Sequence, residues 1–184
     1  MIQDWTDLEN QCKNCQRCDL AKTRHNTVIG KGNNKSQIMF IGEGPGHDED
    51  MQGLPFVGKA GQLLDKMLAA IDLNLSNCYI CNTVKCRPPQ NRDPNDEEQQ
   101  ACKEYLDFQI KSINPRLVVC LGRIAAQALI TPFFKITKEQ GLWFYEKDYK
   151  IMAIYHPSAL LRDETKKRPT WEALKIIKSE LDKL

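Results

Sequence analysis

Four short apolar runs, each flanked by turn-forming residues, dominate the pattern of hydrophobic and polar positions. They occupy residues 37–41, 78–84, 117–121 and 150–155. Several of them are continuous rather than alternating, which is typical of strands that are covered on both faces of a sheet. We therefore predict four buried β-strands.

Between these runs, apolar residues recur at helical spacing over residues 63–71, 95–112, 124–130 and 171–184. Asn95 is followed three residues later by Glu98, just after Pro94, which is the signature of a helix N-terminus. Strands that alternate with helices predict a three-layer α/β/α fold around a central, mostly parallel four-stranded sheet. We expect residues 1–184 to form a single domain.

The predicted sheet indicates where a ligand would bind, because ligands of open parallel sheets lie at the carboxyl ends of the strands. The first strand ends in a glycine-rich turn at residues 42–46. The second runs into residues 82–89, which begin with Asn82, and the fourth is followed by His156. Polar and turn-forming residues therefore collect along one edge, which we predict to be the functional site.

Each candidate residue at this edge has a structural as well as a functional interpretation. Gly42 and Gly44 lack a Cβ, so their turn can approach a base or a phosphate closely, or can be a tight loop without a ligand. Phe56 can stack on a flat ring or pack in the core. Asn82 can read the edge of an imide or cap a turn, and His156 can donate to an anionic leaving group or be held by backbone groups.

Composition restricts the class of protein without fixing its function. The chain is 41% hydrophobic and 27% charged, which excludes a disordered chain, and its apolar runs are far too short to span a bilayer. The acidic N-terminus lacks the apolar core of a secretory signal, so we expect a cytoplasmic protein. The net charge of +2 permits nucleic-acid binding but does not argue for it.

Cysteine is unusually frequent for a protein of a reducing compartment, with 8 in 184 residues. They are Cys12, Cys15, Cys18, Cys78, Cys81, Cys86, Cys102 and Cys120. Disulfides rarely persist in such a compartment, so a metal or iron–sulfur site is the better interpretation. The scarcity of histidine favours all-thiolate ligation, although spacing alone does not determine the ligands. Cys81 and Cys120 lie inside predicted strands and are expected in the core.

Several ordered motifs extend over nearly the whole chain, from about Cys15 to the C-terminal helix. They are residues 42–50 (Gly-Glu-Gly-Pro-Gly, with Glu-Asp at 49–50), 53–64 (Gly-x-Pro-Phe-Val-Gly-Lys-Ala-Gly-Gln-Leu-Leu), 82–92 (Asn-x-Val-Lys-Cys-Arg-Pro-Pro-x-Asn-Arg) and 156–162 (His-Pro-Ser-x-Leu-Leu-Arg). In this order and at these distances they resemble the family 4, iron–sulfur type, uracil-DNA glycosylases. Together the motifs are far more specific than any one of them alone.

The resemblance implies a [4Fe-4S] cluster held by Cys15, Cys18, Cys86 and Cys102. Cys12 would then be an extra thiol. In this family the cluster has a structural role: it ties the N-terminal segment and a loop beside the DNA groove to the core.

The resemblance also implies an activity, the hydrolysis of the bond that joins uracil to deoxyribose in DNA repair. The target nucleotide leaves the base stack and enters the pocket. There, Phe56 would stack on uracil, Asn82 would read its polar edge, and the glycine turn with Gly42, Glu43 and Gly44 would line the pocket.

Three side chains would complete the reaction. His156 would stabilise the departing uracil anion, and Glu49 is the candidate for excluding the 5-methyl group of thymine. Glu43 or Glu49 would position the attacking water. Other branches of the superfamily carry Asp or Asn at the position of Gly44, so its glycine leaves the choice between the two glutamates open.

The DNA substrate, single- or double-stranded, would be gripped by cations. Phosphate contacts are expected from Lys85, Arg87, Arg92, Arg162 and the basic run at residues 166–168, and Ser158 would bond a phosphate or cap a turn. Leu160, with Leu161 beside it, would fill the gap that the flipped nucleotide leaves. The default oligomeric state is a monomer.

Two other classes of function compete with the glycosylase. One is a non-enzymatic iron–sulfur or zinc module that binds nucleic acid, and the other is an electron-transfer protein. Electron transfer does not require the polar cleft that the sequence predicts. A pure binding module would not need Phe56, Asn82 and His156 together, so the glycosylase is favoured.

Overall fold

A six-stranded sheet forms the centre of the computed structural model, which describes residues 2–146 and 148–184. Its strands are β1 (Lys31–Gly32), β2 (Ile38–Gly42), β3 (Tyr79–Asn82), β4 (Leu117–Leu121), β5 (Trp143–Tyr145) and β6 (Lys150–Ile154). Their order across the sheet is β1-β3-β2-β4-β6-β5. The four central strands are parallel to one another, and the two edge strands are antiparallel to their neighbours.

The predicted number of strands is corrected from four to six. The four central strands are the four apolar runs of the sequence. The edge strand β1 is only Lys31–Gly32 and has no apolar residue, whereas β5 is an aromatic run, Trp143–Tyr145, that at three residues is shorter than a typical strand.

Helices cover both faces of the sheet, which confirms the three-layer α/β/α prediction. In the described residues they are α1 (Trp5–Lys13), α2 (His47–Gln52), α3 (Lys59–Ala69), α4 (Asp96–Ile113), α5 (Arg123–Leu129), α6 (Ile136–Glu139), α7 (Pro157–Arg162) and α8 (Lys167–Leu181). Alternate residues of β2 point to opposite layers: Ile38 and Phe40 share a core with α3 and α8. Met39 and Ile41 share another core with α4 and α5.

The N-terminus of α4 carries the cap that the sequence predicts. The Asn95 Oδ1 atom accepts from the Glu98 amide at 2.8 Å, and the Glu98 carboxylate accepts from the Asn95 amide at 2.9 Å. Such a reciprocal pair satisfies two amides that the helix cannot bond internally. The same carboxylate also binds the Arg92 guanidinium through two bonds of 2.8 and 2.6 Å, which fixes the loop before α4.

A third, smaller core joins the N-terminal segment to α4. Leu8 and Leu20 are fully buried there beside Tyr105 of α4. The α1 helix in this segment was not among the predicted helices. None of the helices in the described ranges combines the length and the apolarity that crossing a bilayer requires.

Candidate functional site

A cleft of about 590 Å³ opens at the carboxyl ends of the parallel strands, where the sequence predicts the site. Gly42 at the end of β2 pairs in register with Asn82 at the end of β3, so the two motifs lie side by side. Ten of the predicted site residues line the cleft: Glu43, Gly44, Glu49, Phe56, Asn82, Arg92, His156, Ser158, Arg162 and Lys166.

The most informative group in the cleft is the side chain of Asn82. It is 2% exposed, and its Oδ1 atom has no hydrogen-bond partner in the described structure. A Cβ on Gly42 would lie 2.5 Å from this oxygen, so only glycine leaves the carboxamide its position. An unpaired buried acceptor costs about 1–3 kcal/mol, which indicates that a ligand N–H normally satisfies it.

The Phe56 backbone adopts a left-handed conformation, with φ of 52°, which is unfavourable for a bulky residue. Lys31 Nζ donates to the Phe56 carbonyl at 3.1 Å, and a Cβ on Gly61 would lie 2.1 Å from the same oxygen. These contacts hold the Phe56 ring 5.7 Å from the His156 ring, centroid to centroid, at an angle of 32°. The strained residue is therefore fixed as an aromatic wall of the cleft.

Glu49 on α2 holds the loop that carries Phe56. Its Oε1 atom accepts from the amides of Val57 and Gly58, both at 2.9 Å. One carboxylate oxygen is thus committed to the loop, while the side chain still lines the cleft. Whether Glu49 also excludes a thymine methyl stays a prediction.

The ring of His156 is neutral and its tautomer is fixed. The Ser158 amide, which can only donate, points at His156 Nδ1 from 3.1 Å, and Ser158 Oγ lies 2.8 Å from the same nitrogen. The proton of the ring is therefore on Nε2. Burial, together with the positive charge of Arg162, lowers the pKa of His156 to about 4. The site thus presents a neutral N–H donor throughout the physiological range.

Glu43 is the carboxyl group of the cleft whose ionisation is most altered. Burial, with repulsion from Asp93, raises the pKa of Glu43 to about 7, although the guanidinium of Arg123 opposes the rise. A carboxylate with a pKa near the working pH is suited to general-base catalysis. Its main-chain carbonyl accepts from Thr83 Oγ1 at 2.6 Å, which anchors the glycine turn to β3.

Arg123 is a cleft residue that the sequence analysis missed. It follows Gly122 at the carboxyl end of β4, lines the cleft, and pairs with Asp93 at 2.5 Å. Its position could have been predicted, because β4 is one of the four predicted strands and the residues after it should lie at the same edge of the sheet as the other site residues. Gly122, with φ of 95°, also makes room for His156, whose Cβ would lie 3.0 Å from an added Cβ.

Two predicted DNA contacts are wrong, because the side chains are buried. Lys85 is 1% exposed, and its ammonium donates to the Asn82 main-chain carbonyl and to Gln109 Oε1, both at 2.6 Å. Leu160 is 2% exposed and packs in the core. Leu161 beside it is 52% exposed and is the side chain of this pair that can reach DNA.

Three of the remaining predicted cations, Arg92, Arg162 and Lys166, line the cleft. Arg87 donates from Nε to Asn91 Oδ1 at 2.8 Å, and its Nη1 lies 3.2 Å from His47 Nδ1. Arg162, at the end of α7, is exposed, as are residues 167 and 168 of the basic run. Their contacts with phosphate stay predictions.

Five of the eight cysteines gather in the N-terminal core. Cys12, Cys86 and Cys102 are buried there, and Cys15 and Cys18 pack against them. All eight cysteines are free thiols, so none of the five is used in a disulfide. Cys81 and Cys120 are fully buried in the sheet core, as predicted.

Whether these thiols fit an iron–sulfur cluster depends on their arrangement. Within residues 2–146 and 148–184, no three His, Cys, Asp or Glu side chains form a site for a single metal ion. A [4Fe-4S] cluster makes a different demand, because each thiolate binds a separate iron and the sulfur atoms surround a volume. Cys15 and Cys18 pack against the core that contains Cys12, Cys86 and Cys102, so the N-terminal segment, the loop after β3 and α4 all contribute thiols to one region. An all-cysteine donor set has the chemistry that iron–sulfur ligation requires.

Comparison with known proteins agrees with this geometry. The family model of the uracil DNA glycosylase superfamily matches residues 29–177. A type-4 uracil-DNA glycosylase of Archaeoglobus fulgidus is 47% identical over 168 residues, which cover 87% of this chain and 84% of the relative. A type-4 enzyme of Thermotoga maritima is 43% identical over 86% of this chain and 83% of its own length. A type-4 enzyme of Saccharolobus solfataricus is 40% identical over 95% of this chain and 85% of its own length.

Proposed function

The chain belongs to the uracil-DNA glycosylase superfamily, and from this premise we propose that its cleft binds a flipped uracil and hydrolyses the N-glycosidic bond, which leaves an abasic site for DNA repair. The observation that carries the proposal is the unpaired, buried Oδ1 atom of Asn82, which lines the same cleft as Phe56 and His156. A flat ring with a polar edge is the ligand that such a constellation selects.

Recognition of uracil rests on the two ends of the Asn82 carboxamide. Oδ1 accepts from the N3–H group of uracil, and the amide NH₂ donates to O4. Cytosine presents an unprotonated N3 and an amine in place of O4, so both contacts become unfavourable. Phe56 supports one face of the ring and excludes water from it.

Departure of the base is assisted by His156. As the glycosidic bond breaks, negative charge develops on uracil, and the Nε2–H group donates to the carbonyl oxygen O2. A preorganised donor of this kind contributes about 10²–10³-fold in rate. Because Ser158 fixes the tautomer, the ring need not change protonation state before it acts.

Water activation is assigned to Glu43 rather than to Glu49. One oxygen of Glu49 accepts from the Val57 and Gly58 amides, whereas the half-buried Glu43 carboxyl has a pKa near neutrality. The Glu43 carboxylate accepts a proton from the attacking water and stabilises the positive charge that develops on the sugar.

The pH dependence of the reaction follows from this assignment. Glu43 must be ionised to act, so kcat is expected to rise with pH through a midpoint near 7, while His156 stays neutral. Asp93→Asn removes the repelling charge and shifts the midpoint to lower pH. Arg123→Gln removes the attracting charge and shifts it to higher pH.

Single-turnover rates between pH 5.5 and 9 measure these shifts. Both partners are substantially exposed, so solvent screening keeps the effect small, roughly two- to threefold at about pH 6. Shifts in the same direction for the two variants would contradict the assignment of Glu43.

Contact with duplex DNA is assigned to the exposed Leu161 at the end of α7. Leu161→Ala is expected to lower kcat/KM about tenfold on double-stranded DNA, because nothing fills the vacated stack. On single-stranded DNA the loss is expected to be much smaller. Leu160→Ala should instead lower the free energy of unfolding by about 2–5 kcal/mol, because Leu160 packs in the core. Equal losses on both substrates for Leu161→Ala would contradict this role.

The cofactor proposed for the N-terminal core is a [4Fe-4S] cluster on Cys15, Cys18, Cys86 and Cys102. When bound, the cluster supplies a rigid cross-link between the N-terminal segment, the loop after β3 and α4. These four cysteines lie in a core separate from the residues that line the cleft, which supports a structural rather than a catalytic role. We propose that the chain forms one domain and acts as a monomer, as the sequence predicts. We also propose that it acts in the cytoplasm.

The proposed function is tested with an oligonucleotide that contains one uracil. The protein, purified anaerobically, should release free uracil and leave a site that alkali cleaves. A thymine-containing oligonucleotide of the same sequence should stay intact. If folded, iron-loaded protein binds the DNA but releases no uracil, the non-enzymatic binding module is correct and the glycosylase is not.

A further inference from the structure

The acidic run that opens α2 contains one carboxylate that is not solvated. Asp50 is 1% exposed, although its neighbour Asp48 is exposed. Asp50 Oδ1 accepts from the amides of His25 and Asn26 at 2.9 and 3.2 Å, and Oδ2 lies 2.8 Å from His25 Nδ1. A buried charge is retained only when donors surround it, and here the segment before β1 supplies them.

The contact runs in both directions. Asn26 Nδ2 donates to the main-chain carbonyls of Asp50 and Met51 at 2.8 and 3.2 Å. The α2 helix has six residues and too few internal bonds to be stable alone. These reciprocal bonds therefore fix its position from outside. We call this set of contacts between residues 25–26 and residues 50–51 the α2 latch.

The latch lies between the cysteine-rich core and the cleft. Arg24, directly before it, donates from Nη1 to Cys86 Sγ at 3.3 Å and from Nη2 to the Cys15 carbonyl at 2.7 Å. On the other side, Asp50 directly follows Glu49, whose Oε1 atom holds the amides of Val57 and Gly58. Hydrogen bonds and two short stretches of main chain, at residues 24–25 and 49–50, thus connect two proposed cluster ligands to the strained loop of Phe56.

We propose that Asp50 is a positioning residue, which fixes α2 against residues 25–26 so that Glu49 holds the Phe56 wall in the geometry that uracil requires. The inference rests on the proposed function. It assigns Asp50 no contact with substrate: Asp50 acts through Glu49. The neighbouring segment that it grips is itself bound to Cys15 and Cys86, so the latch is also the connection through which an intact cysteine-rich core supports the cleft.

The effect of Asp50→Ala is expected to be local. Without the carboxylate, α2 loses its external anchor and the bonds from Val57 and Gly58 to Glu49 open more often. Exchange of these two amides with deuterium should accelerate about tenfold, while amides of β2 and β4 keep their protection. The rate constant kcat should fall about 10–100-fold, as for other side chains that orient a functional group, with a smaller change in KM.

Three further variants complete the experiment. Asp65→Asn, which changes an exposed carboxylate on α3, is the matched control and should change neither exchange nor kcat. Asp50→Asn keeps an oxygen for the two backbone amides and should recover kcat to within about threefold of wild type. Asn26→Ala breaks the latch from the other side and should accelerate the same two amides even if Asp50→Ala does not fold.

The outcomes separate this proposal from the proposed function. The proposal is supported if the wild type releases uracil and Asp50→Ala keeps its iron content but shows a lower kcat and faster exchange at Val57 and Gly58. Unchanged exchange and kcat in both Asp50→Ala and Asn26→Ala would overturn it, as would a loss of kcat that only follows lost iron. Absence of uracil release by the iron-loaded wild type would refute the glycosylase itself, and the exchange data would still report whether the latch positions Glu49.

Discussion

Asn82→Ala is expected to lower kcat/KM for uracil release about 10²–10³-fold without lowering the stability of the fold. The loss of activity follows because both polar contacts with the base disappear, and contacts of this kind act in a site that excludes water. The stability is preserved because Oδ1 is buried without a partner and is itself unfavourable to the folded state by about 1–3 kcal/mol. Its removal offsets the lost packing of the side chain.

The combination of these two results distinguishes a recognition residue from a structural one. A turn-capping asparagine would show the reverse pattern, with lower thermal stability and nearly normal activity. Single-turnover uracil release and thermal unfolding, measured on the same preparation, provide both quantities. Asn10→Ala on the exposed side of α1 is the control and should change neither. A less than tenfold loss of kcat/KM for Asn82→Ala would contradict the role of Asn82 in base recognition.

The central strands and the position of the cleft could be predicted because both depend on local sequence. Each central strand is an apolar run, and burial on both faces leaves that run uninterrupted. Parallel strands then bring the residues that follow them to one edge. Gly42 and Asn82, 40 positions apart, become register partners for this reason alone.

The side chains that were misjudged depend on contacts between distant parts of the chain. Lys85 looks like a phosphate-binding cation in the sequence, but Gln109, 24 positions later, offers it a buried acceptor. Asp50 looks like part of a solvated acidic run until residues 25–26 surround it. No pattern of period 2 or 3.6 contains this information.

Backbone strain was also beyond the sequence pattern. The Phe56 conformation is imposed by three separate elements: β1 through Lys31, α2 through Glu49, and α3 through Gly61. Only the fold brings these elements together. Gly58 and Gly61 are visible in the sequence as parts of a motif. Position 61 requires glycine because it lies close to the Phe56 carbonyl, and only the tertiary structure shows this contact.

Cys86→Ala is expected to abolish the proposed cluster and to destabilise the whole N-terminal core. Cys86 is buried beside Cys102, and its Sγ atom accepts from Arg24, so its removal takes away a cluster ligand and the partner of a guanidinium together. A cluster that forms only in the folded state contributes its binding free energy to folding. A loss of about 5 kcal/mol would lower the melting temperature of a chain of this length by roughly 10–20 °C.

The matched control is Cys120→Ala, which removes an equally buried thiol from the sheet core. That variant should lose only packing, about 1–2 kcal/mol, and should keep its iron, its sulfide and its visible absorption.

The fifth thiol of the N-terminal core, Cys12, decides which cysteines are the ligands. Because Cys12 lies in the same core, Cys12→Ala discriminates between an extra thiol, which leaves the iron content unchanged, and a ligand, which does not. Iron retained in Cys86→Ala but lost in Cys12→Ala would replace Cys86 by Cys12 in the proposed set. It would also leave Arg24 bonded to a thiol that holds no iron, and the link from the cluster to the α2 latch would then run through Cys15 alone.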